Sequence, residues 1–349
     1  MVRDALDVAW LTVPAVPART VVDRLPPRHR PSPHQFLPGR AARPDQLRPK
    51  RALPDRALPE RALPDRSLPH ALLPAGDSSD RQLWPADGLA PGTLHSADLA
   101  AGALWAAGYR EWLAPERLRH SLACFWISVA PPGDRPSTTA VVPDGCSDLI
   151  WQSGRGAYLA GPDTGPAPAL LPPGTVIVAA RFRPGAGGPA LGLPLAEVRD
   201  QRVELADCLP RLARQLPADL DPDEALSRLT SLSARLASAG SPDALVLRAT
   251  ALLADSRTTV AGVSRDLAMS ERQLRRRFDD AAGYGPKMMQ RVLRFRHLVR
   301  HLTAAAGGSD LADLAARLGY ADQAHLTRET TRLAGKPPAA LARSFRGAN

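Results

Sequence analysis

VAGVSRDLAMSERQLRRRF (residues 260–278) and LADLAARLGYADQAHLTRET (residues 311–330) carry one helix–turn–helix pattern twice. Aligning Leu274 with Leu326 sets Ala268 on Tyr320 and Arg276 on Arg328, a constant offset of 52 residues. In the first copy Thr259 or Val260 opens the first helix. Ser270, with Gln273 three residues on, forms a capping box that fixes the start of the second helix. In the second copy Ser309 is the expected cap of the first helix and Asp322 that of the second. Between the copies, Pro286 at a first turn opens a helix running to about Ala305 and stopping at Gly307 and Gly308. About 20 residues make a helix of about 30 Å, close to the ~34–36 Å of one DNA turn. Asp243 to Ala254 reads as a supporting helix, and Pro337 and Pro338 open a closing helix with Leu341 and Phe345.

The second helix of such a motif lies in the major groove and presents its N-terminal side chains to base edges. In the first copy Leu274 and Phe278 are four apart and form the buried face. Arg272, Gln273, Arg275 and Arg276 are left for the outer face, with Arg277 reaching toward phosphate. In the second, Leu326 is the buried anchor, and Gln323, Ala324, His325 and Arg328 face out. Arginine pairs bidentately with guanine and glutamine with adenine. Arg291, Arg294, Arg296 and Arg300 of the connecting helix are expected to divide between phosphate and solvent.

Charge gathers at the same end. Residues 241–349 hold 18 Lys and Arg against 10 Asp and Glu, whereas residues 76–240 hold 14 against 18. Only three of the 45 basic residues are Lys, a coding bias that accounts for Arg over Lys but not for its location. A basic end beside a slightly acidic middle fits a protein whose positive face meets phosphates. The three cysteines, Cys124, Cys146 and Cys208, have no metal-ligand spacing and read as free thiols of a reducing compartment. Asp4, Asp7, Pro14 and Pro17 break any secretory leader, and no window is apolar for long enough to cross a membrane. The expectation is a cytoplasmic protein without metal or cofactor.

Residues 1–100 are expected to be disordered. The first 75 hold 14 prolines, and RALPD, RALPE, RALPD and RSLPH follow one another from Arg51; proline every fifth residue prevents a lasting helix or central strand. Residues 105–215 read as a small β-rich domain, cupin-like or a barrel. LACFWISV (122–129), TTAVV (138–142), SDLIWQ (147–152) and TVIVAARF (175–182) are its strands, bounded by turn segments such as PPGD, PDG and GPDTGP. Residues 190–195 and 203–212 tip weakly toward helix. Residues 219–240 form a linker helix whose stripe of Ala225, Leu226, Leu229, Leu232 and Leu236 suits either a dimer seam or packing on its own domain. Residues 243–346 complete a multidomain chain with an all-α double helix–turn–helix domain.

The C-terminal hundred residues resemble the DNA-binding domain of AraC/XylS-type transcription regulators. The resemblance rests on SERQLRRRF followed by Gly283 and Pro286, the long connecting helix, and LGYADQAHLTR followed by AGKPP. It implies bipartite binding of promoter DNA, and places base contacts at Arg272, Arg275 and Arg276, then Gln323, His325 and Arg328. Two positions depart from the pattern: Thr330 and Ala334 stand where the family usually carries aromatics, so the second copy is expected to be looser. The middle region resembles an uncharacterised β-rich domain that often precedes this module. It does so through Tyr109 and Arg110, VVPDGCSDLIW, RFRPG and LGLPLAEVRDQRVEL. There Asp144, Asp148, Arg181 and Arg183 either line a pocket or serve as turn caps and a surface ion pair.

The function expected is that of a sequence-specific transcription regulator and not an enzyme. Its partners are double-stranded promoter DNA and RNA polymerase, with a small-molecule effector and a second copy of the chain as further candidates. Two other classes stand beside it. A repair-type alkyl-transfer protein would need a reactive cysteine, and the carboxylates flanking Cys146 oppose a thiolate. A DNA-architectural protein would sense nothing.

Overall fold

The computed structural model describes residues 104–304 and 310–346. The expected disordered segment, the Gly307–Gly308 stop and the Ser309 cap fall outside those residues. The chain builds β1 (Gly108–Leu113), β2 (Leu122–Val129), β3 (Ser137–Val141), β4 (Ser147–Gln152), β5 (Gly156–Ala160), β6 (Ala167–Leu171), β7 (Val176–Phe182) and β8 (Arg202–Glu204). Between β7 and β8 lies α1 (Gly187–Leu191), and after β8 come α2 (Leu205–Cys208), α3 (Pro210–Ala213) and α4 (Pro222–Ala239). The helical half comprises α5 (Ala244–Leu253), α6 (Val260–Asp266), α7 (Glu271–Ala282), α8 (Pro286–Ala304), α9 (Leu311–Arg317), α10 (Gln323–Ala334) and α11 (Pro338–Arg346).

Six strands form one antiparallel sheet in the order β1-β2-β7-β4-β5-β8, and β3 pairs with β6 in a second. LACFWISV and VIVAARF lack polar alternation because both faces of the large sheet are covered. On one face Phe125, Ile127, Leu149, Trp151, Leu159, Val178 and Phe182 join Ala225, Leu229, Leu232 and Leu236 of α4 in a single core. The helix expected as a linker is thus packed on the sheet, and its apolar stripe is spent within the chain. Asp221 caps it by accepting from the amide of Glu224. On the other face Trp126, Ile150, Tyr158, Ile177 and Ala179 pack with Leu171 of β6. The weak helix expected over residues 203–212 begins instead as β8, which pairs with β5 and gives way to two helices of four residues each.

The helical half has two cores strung on α8. Met289 and Val292 of α8 meet Val246, Leu253, Val263, Leu274 and Phe278. Phe295, Leu298 and Leu302 meet Leu314, Leu326, Leu333 and Leu341. Thr330 and Ala334 are buried in or beside this second core, and the Thr330 hydroxyl donates to the Leu326 carbonyl. Val142, the residue after β3, belongs to the same cluster, so the β-rich half packs against the second copy.

The offset between the copies is not constant. Ala268 (φ 51°) and Gly319 (φ 72°) are the left-handed turn residues. The amides after them, of Met269 and Tyr320, donate to Ser264 and Ala315. Through this turn the copies are therefore 51 residues apart, and Ala268 matches Gly319 rather than Tyr320. Ala321, extra before the Asp322 cap, restores 52 for the recognition helices. The cap of α9 is Asp310, which accepts from the Ala312 amide. A left-handed alanine costs roughly 1–2 kcal/mol, partly returned as chain entropy when glycine replaces it. Ala268→Gly is expected to stabilise the protein by about 0.5–1 kcal/mol in urea denaturation, and a loss would contradict the strain assigned to this turn.

Candidate nucleic-acid interface

The capping box of α7 forms as read: the Ser270 hydroxyl accepts from the Gln273 amide, and the Gln273 carboxamide oxygen accepts from the Ser270 amide at 3.0 Å. Asp322 caps α10 by accepting from the His325 amide. Leu274, Phe278 and Leu326 are fully buried, so each recognition helix is held by its apolar side. Arg272, Gln273, Arg275, Arg276, Gln323, Ala324 and Arg328 are exposed, and His325 is half-buried.

Several of these side chains have local commitments. The carboxamide oxygen of Gln273 accepts from both the amide and the hydroxyl of Ser270. A bidentate adenine contact needs that oxygen as an acceptor, so Gln273 serves the cap before it can serve a base. Arg275 lies 3.6 Å from Asp279 and stays largely exposed. His325 Nδ1 accepts from the Ala321 amide at 3.2 Å, and its ring stands edge-on to Tyr320. That bond leaves the proton on Nε2, making the outer nitrogen a donor.

Arg277 and three of the α8 arginines have partners within the protein. Arg277 pairs with Asp243, the N-cap of α5, at 2.6 Å. Arg291 forks onto Glu329 of α10 at 2.6 and 3.1 Å. Arg294 lies over the Tyr320 ring at 5.2 Å. Arg296 donates to the Asp144 carbonyl of the β-rich half at 3.4 Å, and burial lowers its pKa. Arg291, Arg294 and Arg296 tie α8 to its neighbours, and Arg277 ties α7 to α5. Burial and nearby arginines pull His297 down to about 4, so it is neutral at physiological pH.

In the β-rich half, Asp144 does cap a turn, accepting from the Cys146 amide at 2.8 Å. The ion pair, however, is interior rather than on the surface. Arg181, its side chain 8% exposed, contacts Asp148 at 2.9 Å and Asp144 at 3.4 Å. Burial opposes its charge, but the two carboxylates outweigh burial and hold the guanidinium protonated. Burial instead lowers Arg183 to about 9. Burial also pushes the Cys124 and Cys146 thiols well up and Cys208 to about 11, which opposes thiolate chemistry at all three. Among the described residues no group of His, Cys, Asp and Glu is arranged to hold a metal ion, and no helix is long and apolar enough to cross a membrane.

Sequence reasoning missed the seam between the halves. Arg199 donates to the carbonyl of Gly283 at 3.3 Å, and Tyr284 and Met289 lie against Gly145. GPDTGP and PDG read as turns, and nothing in their spacing says what they touch.

Residues 263–344 match the model of a helix-turn-helix domain, and residues 110–204 match a domain of unknown function, DUF6597. Solved structures similar to this chain include the C-terminal domain of AraT, a response regulator from Geobacillus stearothermophilus. It is 20% identical, covering 29% of this chain and 86% of that one, with a TM-score of 0.27. ToxT from Vibrio cholerae O395 is 10% identical, covering 64% and 98%, with a TM-score of 0.36. No curated protein sequence matches the chain.

Proposed function

We propose, from the AraC-type helix-turn-helix domain at its C-terminal end, that this chain is a transcription regulator that reads double-stranded promoter DNA through two recognition helices in successive major grooves. The observation that carries the reading is the pair of capped helices α7 and α10, each buried on its apolar side and exposed at its N-terminal polar residues. Arg272, Arg275 and Arg276 supply guanine-type contacts on the first. Gln323, His325 and Arg328 supply the second set. The 19 residues of α8 give a spacer of about 28 Å, within reach of one turn of a bent duplex. The β-rich half, packed on α7 and α8, takes the modulating role, through a small-molecule effector or a second copy of the chain, and RNA polymerase is the downstream partner.

Selection of duplexes from a random pool tests the reading. It should return a bipartite site with its two parts about one helical turn apart. On that site Arg276→Ala should lose about 1–3 kcal/mol of affinity and relax one base position. Equal weakening on all sequences would assign Arg276 to phosphate and remove it from base readout.

A further inference from the structure

The two recognition helices end alike. Gly283 closes α7 and Gly335 closes α10, both left-handed at φ 81° and 69°, and they stand 52 residues apart like the helices themselves. Each meets a proline of one segment of the β-rich half, Gly161-Pro162-Asp163-Thr164-Gly165-Pro166. A Cβ on Gly283 would run into Cγ of Pro162, and one on Gly335 would lie 3.4 Å from Cγ of Pro166. A Cβ on Gly165 would lie 3.7 Å from the carbonyl of Arg332 in α10. One short segment therefore touches the far ends of both recognition helices, while their N-terminal ends stay exposed.

The segment is firmly held. The Gly161 amide donates to Gln201 at 3.0 Å, and the Asp200 amide to the Pro162 carbonyl at 3.2 Å. The Thr164 amide and hydroxyl both donate to the Asp200 carboxylate, at 2.6 and 3.0 Å. Arg202 forks onto Asp163 at 2.9 and 2.7 Å. Gly161 leaves no room for a side chain against the Val198 carbonyl. The prolines fix their own φ angles, and four residue steps span at most about 14 Å. Arg199, beside this anchor, places a cation on the C-terminal carbonyl of α7, where the helix dipole favours it. The helical half alone sets the distance between its two units through the length of α8; a second tie at the helix ends sets how they are turned.

We infer that residues 161–166 are a strap that fixes the relative placement of α7 and α10 and thereby decides which half-site spacing the protein accepts. The inference rests on the DNA reading proposed above. Two binding modules on one rigid frame gain avidity only where both can engage, and lose it when the geometry forbids this. Pro162, Pro166, Asp163 and Arg202 are on this account positioning residues that touch no base.

The test uses the full chain and the duplex it selects from the random pool, with one or two base pairs inserted between or removed from the two half-sites. Wild type should lose about tenfold or more in affinity on the altered duplexes. The double variant Pro162→Gly/Pro166→Gly should lose less than about threefold, with unchanged affinity for each isolated half-site. Arg202→Ala loosens the strap without touching either helix, and gives the same readout where the double variant fails to fold. A second measurement needs no DNA: pulsed electron resonance between labels at Arg272→Cys and Gln323→Cys, in a Cys208→Ser background. The distance distribution should be narrow with the native strap and broad in the variants. Unchanged spacing selectivity with unchanged distance widths in folded variants would overturn the strap. Failure of wild type to select any duplex would overturn the DNA reading instead, and the distance measurement would still decide whether the segment holds the helices.

Discussion

Arg181→Met is expected to remove about 3–5 kcal/mol of stability, the typical cost of breaking a buried ion pair from one side. Arg181 of β7 stands opposite Asp148 of β4 in the sheet register. It also contacts Asp144, and its guanidinium lies 5.8 Å from the Trp126 ring. Without it, Asp148, its side chain 14% exposed, and Asp144 face each other without the guanidinium that bridges them. Removing Asp148 as well should recover much of the loss, because it replaces the more buried pair by apolar groups and leaves only the more exposed Asp144 without its partner. The variant Arg181→Met/Asp148→Leu is therefore expected to be more stable than Arg181→Met alone. Urea denaturation followed by tryptophan fluorescence reads both, with Trp126 as a local reporter. A loss under about 1 kcal/mol would place the cluster with exposed pairs and contradict the burial assigned to it. Asp144 also connects this cluster to the helical half, since its carbonyl accepts from Arg296 and its neighbour Gly145 lies against Tyr284 and Met289. Hydrogen exchange in α8 should accordingly rise in Arg181→Met and fall back in the double variant.

What could be read from the chain was whatever local chemistry determines. The caps at Ser270 and Asp322 act on amides three residues away, and each is visible as a residue type beside an apolar run. β2, β4 and β7 are apolar and β-branched or aromatic, bounded by turns, and their ranges match the reading closely. Besides β1, the strands that escaped, β5, β6 and β8, lack those signals. β5 is GAYLA, mostly small residues of poor strand propensity, and β6 carries Pro168 in a two-stranded sheet where no central ladder forbids it. β8 is three residues long and exists by pairing with β5. The exposed polar faces of α7 and α10 followed from periodicity, because Leu274, Phe278 and Leu326 fix which side is buried. The arginines of α8 did not. Their partners, Glu329, Tyr320 and Asp144, lie far along the chain, and arginine looks the same in a sequence whether it meets phosphate, carboxylate or an aromatic ring. Sequence could count the repeat but not locate its irregularity: an extra residue in a turn shows only in which amide bonds which carbonyl.

The seam between the halves is where the second large effect is expected. Gly283→Ala should cost about 2–5 kcal/mol and Gly335→Ala about 1–2 kcal/mol, although both glycines close a recognition helix in the same conformation. The shared part is the left-handed backbone, worth roughly 1–2 kcal/mol for any side chain with a Cβ. The difference is steric. A Cβ on Gly283 would overlap Pro162 and crowd the carbonyl of Leu195 at 3.1 Å, whereas on Gly335 its nearest neighbour is Pro166 at 3.4 Å. Overpacking of this kind adds about 1–3 kcal/mol where the surroundings cannot yield. They yield little here, because Pro162 is held through Asp200 and Leu195 lies in the main core of the sheet. Combining Gly283→Ala with Pro162→Gly removes the ring but not the backbone strain. The pair should therefore couple favourably by about 1 kcal/mol or more, as residues in direct contact do, while Gly335→Ala and Pro162→Gly should add independently. Equal losses for the two glycines, with no coupling, would mean that the β-rich half rests on α7 without constraining it; unequal losses with coupling would mean that a change at Pro162 is felt at the end of α7.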